Sequence, residues 1–190
     1  MTTLVLYSSA QRERFAAVCQ PTARQFAFEA ELRVCVEHQK EYEAPYMQKV
    51  RLTLAALQFS ERVIYSDSDI VFRPGAGALV ERLFTGPVNM STDLHGFCTG
   101  FFTCVRTPEV EKMLRLWWEL GMPIDSDQLL HDQGTFKLLN QNFQWIKDLA
   151  REIPTNLISN PECAIPGAIA HHFWSSDGCF DRVEKFSWGA

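Results

Sequence analysis

The stretch RVIYSDSDIVF, from Arg62 to Phe72, sets two aspartates between two apolar runs. Val63-Ile64-Tyr65 reads as a buried strand that continues through Ser66 into Asp67, Ser68 and Asp69. In extended chain, side chains two apart point the same way and lie about 6.6 Å apart, so Asp67 and Asp69 are expected to converge on one object. Two carboxylates at the exit of so apolar a strand repel each other and lose hydration, a cost that a bound divalent cation removes. Hard oxygen ligands suit Mg2+ or Mn2+ better than zinc or copper. An idle acidic turn is the plainer alternative, but unused charges between two apolar runs are expensive.

Working outward, short apolar runs alternate with amphipathic stretches along almost the whole chain, the pattern of a mixed or parallel sheet with helices packed on it. Leu4 to Ser8 reads as a first strand, Gln11 to Gln25 as a helix and Leu32 to Glu37 as a second strand. Met47, Val50, Leu54 and Leu57 recur at spacings of three or four, which predicts a core-facing helix between Pro45 and Phe59. Beyond the acidic pair the reading gives a helix from Gly77 to Phe84 and strands at Val88 to Met90 and Gly100 to Val105. Thr107 and Pro108 start a helix that Gly121 stops. A helix capped by Ser126 or Asp127 runs to about Asn140, and short strands follow at Phe143 to Ile146 and Ala168 to Phe173. From Trp174 the chain reads as a loop-rich tail on a single domain spanning residues 1–190.

Composition narrows the class. The 190 residues are 46% hydrophobic and 22% charged, with a formal net charge of −5, enough for a sizeable core without disulfides or a structural metal. An acidic balance with no basic run disfavours a nucleic-acid partner. The six cysteines, Cys19, Cys35, Cys98, Cys104, Cys163 and Cys179, form no CxxC pair and are expected to be reduced thiols. The opening MTTLVLYSSAQRER is too short an apolar run for a signal peptide, and no stretch approaches transmembrane length, so the expected compartment is cytoplasmic.

A second anchor lies in AIAHHFW, residues 168–174. On a strand Ala168, Ala170 and His172 share one face, and Ile169, His171 and Phe173 the other. One imidazole can then look into a site while its neighbour packs or meets solvent. His172, with His171 as the alternative, would complete a two-carboxylate, one-histidine cation site with Asp67 and Asp69.

Four blocks in order, KVRLTLAALQFSERVIYSDSDIVF, CTGFFTCVRT, HDQGTF and AIAHHFW, resemble the GT-A-fold glycosyltransferases, specifically the glycogenin-like and nucleotide-diphospho-sugar transferase families. The resemblance covers roughly Tyr46 to Trp174. It implies an α/β fold, a single Rossmann-like GT-A domain with a mixed, mostly parallel sheet flanked by helices. It also implies a metal-dependent, generally retaining hexosyl- or pentosyltransferase whose donor is a nucleotide-diphosphate sugar, UDP-linked by preference, and whose acceptor is a carbohydrate or glycoconjugate. Lys49, eighteen residues before Asp67, matches the basic residue that reaches the donor site, with Arg51 as the alternative. The end of the first strand implicates Tyr7 and Ser8 at the nucleoside, Tyr7 offering a face for stacking. Ser68 and Asp93 join the donor-binding set, Asp93 through sugar hydroxyls.

Asp132 and Gln133 match the DQ pair that faces the transferred sugar and acceptor. Neighbours on a helix diverge by about 100°, so Asp132 is expected to be central. The family's NxG segment stands here as Cys98-Thr99-Gly100, a thiol replacing the amide while Gly100 still permits close backbone approach. The glycine and lysine that follow the histidine in glycogenin-like enzymes are replaced by WSSDGCFDRVEK, where Ser175, Ser176 and Lys185 are the nearest substitutes. The resemblance would make the cation and Lys49 stabilisers of the departing diphosphate, with the tail ordered over the donor. Two other classes compete: a non-catalytic nucleotide-sugar or glycan-binding module, and a haloacid-dehalogenase-type phosphohydrolase with Asp67 as nucleophile. The latter usually carries DxD on its first strand.

Overall fold

A computed structural model of the chain describes residues 1–9, 12–38, 45–93, 96–122, 132–160 and 165–173, and in the tail Arg182, Val183, Phe186 and Trp188. In chain order the elements are β1 (Thr2–Ser8), α1 (Glu13–Glu29), β2 (Arg33–His38), α2 (Gln48–Leu57), β3 (Arg62–Asp67), β4 (Ile70–Phe72), β5 (Val88–Asp93) and β6 (Gly96–Val105). They continue with α3 (Pro108–Gly121), α4 (Asp132–Asn142), α5 (Gln144–Leu149), β7 (Ala150–Glu152), β8 (Ile158–Ser159) and β9 (Ala170–His172). Short 3-10 segments at Pro45–Met47 and Ala76–Leu83 precede α2 and β5.

Six strands form the main sheet in the order β2-β1-β3-β6-β5-β7. β1 pairs in parallel with β2 and β3, and β5 with β7, while β6 runs antiparallel between β3 and β5. A smaller sheet, β4-β9-β8, lies beside it. The mixed, mostly parallel α/β architecture expected from the sequence is the observed one.

Period-two alternation divides the core between the two faces of the main sheet. Val5 and Tyr7 of β1 and Val63 and Tyr65 of β3 pack with Val50 and Leu57 of α2 and with Trp117 of α3. Leu4, Leu6 and Ile64 turn the other way, onto Phe26 of α1 and Phe72 and Ile169 of the small-sheet region. The α3 start is as read: the Thr107 hydroxyl accepts from the Val110 amide, with Pro108 opening the helix.

Four expectations need correction. β3 ends at Asp67, and a turn at Ser68 and Asp69 passes the chain into the second sheet, so the acidic pair does not alternate along one strand. The segment at Phe143 to Ile146 is no strand: Gln144–Leu149 is helical, with Gln144 and Asp148 hydrogen bonded across one turn at 3.0 Å. Its alternation of aromatic and polar residues mimics period two, yet Ile146 is the buried member of the turn. Residues Ala76–Leu83 are wound as a 3-10 helix, and β9 is shorter than expected. The proposed caps Ser126 and Asp127 lie outside the described residues.

Candidate active site

The site forms at the carboxyl ends of β1 and β3, where open α/β sheets bind ligands. Tyr7 of β1 is paired with Asp67 of β3, so both arrive at the same sheet edge. Asp67 shares the parity of Val63 and Tyr65 and therefore faces α2. There the Tyr65 hydroxyl donates to Asp67 Oδ1 at 2.7 Å and Lys49 Nζ to Oδ2 at 3.2 Å.

The turn after β3 swings Asp69 towards the other face, where it is almost wholly buried. Arg12, at the start of α1, donates to its Oδ2 at 3.2 Å. The β4–β9 ladder sets His172 opposite Ile70, and the Phe173 amide donates to the Asp69 carbonyl at 3.0 Å. That register brings His172 Nε2 to 3.4 Å from Asp69 Oδ1. One ligand atom from each of Asp67, Asp69 and His172 then lies within 4.8 Å of the others. Two carboxylates and an imidazole so disposed fit a hard divalent cation. Adjacency across two sheets, not alternation within one strand, produces the convergence.

The two histidines part as strand parity requires. His171 turns away, pairing Nδ1 with Ser159 Oγ at 2.8 Å and packing against the Phe173 and Phe186 rings. The His172 ring is held from two sides. Cys98 Sγ lies 3.6 Å from its Nδ1, and a Cβ placed on Gly100 would stand 2.8 Å from its Nε2 and 3.1 Å from Asp67 Oδ2. Both neighbours come from a bulge in β6. Met90 pairs with Phe102 but Ser91 with Cys98, which frees Thr99, Gly100 and Phe101 from the β5 ladder.

Thr99 uses that freedom to donate its hydroxyl to Asp132 Oδ2. Asp132 opens α4, whose first backbone carbonyl accepts from the Trp117 indole at 2.9 Å. Lys49 bridges the two acids: Nζ is 2.7 Å from Asp132 Oδ2 and donates also to the Thr99 carbonyl at 3.3 Å. Arg51 instead meets Gln48 and Glu37. Gln133 diverges from Asp132 and donates to Asp93 Oδ2 at 3.1 Å, pairing two residues singled out separately from the sequence.

Charge and burial compete here. Burial drives the Asp67 carboxyl above its ordinary range, Lys49 opposes the rise, and Asp69 and Asp132 add to it. Burial works against the Lys49 ammonium, but Asp132 and Asp67 hold its pKa above the usual lysine value. Burial likewise works against a charged His172, and Cys98 and Asp69 lift it well above an ordinary histidine.

An open cleft of about 550 Å³ adjoins the cluster, lined by Tyr7, Ser9, Arg12, Tyr46, Lys49, Asp67 and Ser68. Ser8 is buried just behind, its hydroxyl directed at the Ser9 carbonyl. Tyr65, Thr99 and Arg12 are not among the site residues expected from the sequence. Tyr65 could have been found from its i, i+2 relation to Asp67; Arg12 and Thr99 meet their partners only through the fold. Ser175, Ser176 and Lys185, and the proposed lid residues Trp174 and Phe180, lie outside the described residues. Among the described residues no helix is long and apolar enough to cross a membrane.

No family model and no curated protein matches the chain. Solved structures do. A glycosyltransferase involved in the glycosylation of the major capsid of PBCV-1 aligns with a TM-score of 0.78 at 12% identity, over 96% of this chain and 98% of that one. The galactosyltransferase LgtC, in complex with donor and acceptor sugar analogues, gives 0.61 at 13% identity over 96% and 94%. The apo-form glycosyltransferase GlyE of Streptococcus pneumoniae TIGR4 gives 0.66 at 12% identity, over 98% of this chain and 61% of its own. The chain has the GT-A-like fold of these glycosyltransferases.

Proposed function

We propose that this chain is a cytoplasmic, divalent-cation-dependent glycosyltransferase. In this reading it takes a hexosyl or pentosyl group from a UDP-sugar, retains the anomeric configuration, and delivers it to a carbohydrate or glycoconjugate acceptor. One observation carries the reading: Asp67, Asp69 and His172 offer ligand atoms within 4.8 Å of one another, beside a cleft at the carboxyl ends of β1 and β3. A shared fold with glycosyltransferases supports the class.

Asp67, Asp69 and His172 would hold Mn2+ or Mg2+, which when bound supplies Lewis-acid stabilisation of the departing diphosphate. The chain's own residues prepare that task. Tyr65 and Lys49 each fix one oxygen of Asp67, so its carboxylate is oriented before any ligand arrives. Tyr7 lines the cleft, where its ring would serve as a platform for the base, with Ser8 and Ser68 beside it. Asp132, fixed by Thr99 and Lys49, and the Gln133–Asp93 pair line the approach for the transferred sugar, with Gly100 keeping the floor open.

Thermal shift with UDP-glucose, UDP-galactose and UDP-xylose, with and without Mn2+, tests the class. Stabilisation is expected only when nucleotide sugar and metal are present together, and it should vanish in Asp67→Asn and Asp69→Asn. Released UDP without phosphate release from simple phosphoesters separates transfer from phosphohydrolase chemistry, and product NMR reads the anomer. Metal-independent binding, or none to any nucleotide sugar, would overturn the proposal.

A further inference from the structure

Lys49 is the cation that a sequence reading assigns to the donor, but its three ammonium hydrogens already face Asp132, Asp67 and the Thr99 carbonyl. Taking up a phosphate there would strip partners from two buried carboxylates, a costly exchange. Arg12 is placed differently. Its guanidinium lines the same cleft as Tyr7 and Ser68 and keeps 30% of its side-chain surface open. One of its terminal nitrogens reaches Asp69 Oδ2 at 3.2 Å. A guanidinium carries five donors in a planar fork, so it can serve a second oxygen-rich anion next to the first.

Asp69 lies between Arg12, whose guanidinium meets Oδ2 at 3.2 Å, and the His172 ring, 3.4 Å from Oδ1. Arg12 thus covers charge on Asp69 that a divalent cation would cover when held by Asp67, Asp69 and His172. A cation arriving at Asp69 weakens the need for Arg12, whose guanidinium already faces the cleft. On the reading proposed above, a nucleoside stacked on Tyr7 extends its diphosphate along that wall.

We infer that Arg12 is the counter-charge for the donor's diphosphate: it neutralises Asp69 in the metal-free site and turns to the phosphate oxygens in the loaded one. The inference rests on the nucleotide-sugar reading and makes a prediction that reading does not. Removing Arg12 should weaken the nucleotide without weakening the metal. It takes a positive charge away from Asp69, which favours the metal, and takes a donor away from the diphosphate, which disfavours the nucleotide.

The test uses the full chain as wild type, Arg12→Gln and Arg12→Lys. Three probes are titrated: Mn2+ alone by water-proton relaxation, UDP with Mn2+ by calorimetry, and uridine by ligand-observed NMR. In Arg12→Gln, UDP affinity is expected to fall about 10- to 100-fold, the range of one hydrogen bond to a charged group, while uridine is unaffected. Mn2+ alone should bind as tightly as in wild type or tighter, and Arg12→Lys should recover part of the UDP affinity. Parallel loss of Mn2+ and UDP would make Arg12 a support for Asp69 and overturn the inference, as would unchanged UDP affinity or equal losses for UDP and uridine. Wild-type protein that binds no UDP in the presence of Mn2+ overturns the nucleotide reading itself, and the inference with it.

Discussion

Lys49 Nζ stands 2.7 Å from Asp132 Oδ2 and 3.2 Å from Asp67 Oδ2, so one buried ammonium ties the end of β3 to the start of α4. The lysine is almost fully buried and its two partners are largely so. Removing one member of such a group leaves uncompensated charge. Lys49→Met is expected to cost about 3–5 kcal/mol of stability. Adding Asp132→Asn to it should cost less than the sum of the two single changes, with a coupling of about 1–3 kcal/mol. Urea denaturation of the four proteins of the cycle measures this. Additivity would show that the two groups do not share one electrostatic unit.

His172 is held by the Cys98 sulfur on one side and by close packing on Gly100 on the other. A methyl group at residue 100 would press on both the imidazole and the Asp67 carboxylate. Gly100→Ala is therefore expected to weaken Mn2+ binding about 10- to 100-fold, the usual cost of disturbing a ligand's support. Cys98→Ala should fall in the lower part of that range, and Cys98→Ser, which keeps a polar partner for Nδ1, should lose less. Mn2+ titration by electron paramagnetic resonance gives all three affinities, and far-UV circular dichroism checks that the fold survives.

The chemistry of these residues was visible in the sequence, but the distances that join them were not. Asp67, Asp69 and His172 stand out by residue type, and strand parity puts His172 and His171 on opposite faces, though it does not say which of them meets the aspartates. The route by which they meet could not be read locally. It depends on β4 leaving the main sheet after Asp67 and pairing with β9, about a hundred residues further along the chain. The β6 bulge is only hinted at: Gly100 inside CTGFF marks an irregular strand, but not that the β5 register slips so as to aim Thr99 at Asp132.

Secondary structure failed where the local pattern was short. Phe143 to Ile146 alternates like a strand, and only the turn-spanning Gln144–Asp148 contact and the burial of Ile146 reveal the helix. Long stripes were safer. The spacing of Val50 and Leu57 in α2, and of Val110, Met113, Leu114 and Trp117 in α3, placed those helices correctly because each buries a whole face.

His171 gives the chain a pH dependence separable from the acidic cluster. Burial, and then the positive charge of His172, push it down to about 4 from an ordinary 6.5. Between those values the unfolded chain takes a proton that the folded chain refuses, so stability is lost as pH falls through this window. His171→Phe, which joins the Phe173 and Phe186 rings, removes that contribution. Relative to wild type, the variant should gain about 1–2 kcal/mol between pH 7 and pH 4.5. Urea midpoints followed by tryptophan fluorescence in the presence of chelator supply the comparison. A difference that does not change with pH would exclude His171 as the titrating group.

Glu29 fastens the far end of α1, the helix that Arg12 precedes, to the loop before β5. Its carboxylate accepts from the Gly75 amide at 3.0 Å, the Gly77 amide at 3.3 Å and Gln25 Nε2 at 3.0 Å. The Gly75 amide foremost, aided by Gly77 and Gln25 against partial burial, holds the carboxyl below its ordinary value of 4.5. A lowered acid pKa means stability that is complete above the unfolded value and lost as pH falls through the folded one. Glu29→Gln is expected to cost about 0.5–1 kcal/mol at pH 7, a modest figure because the site is solvent-screened. The gap from wild type should close below pH 4.5, with Mn2+ affinity unchanged. Gly77→Ala attacks the same junction sterically, since its Cβ would meet Glu29 Cβ at 2.5 Å and the Ala30 amide nitrogen at 2.7 Å. It should destabilise at every pH, so thermal unfolding of the two variants across pH separates the charge of Glu29 from the packing beneath it.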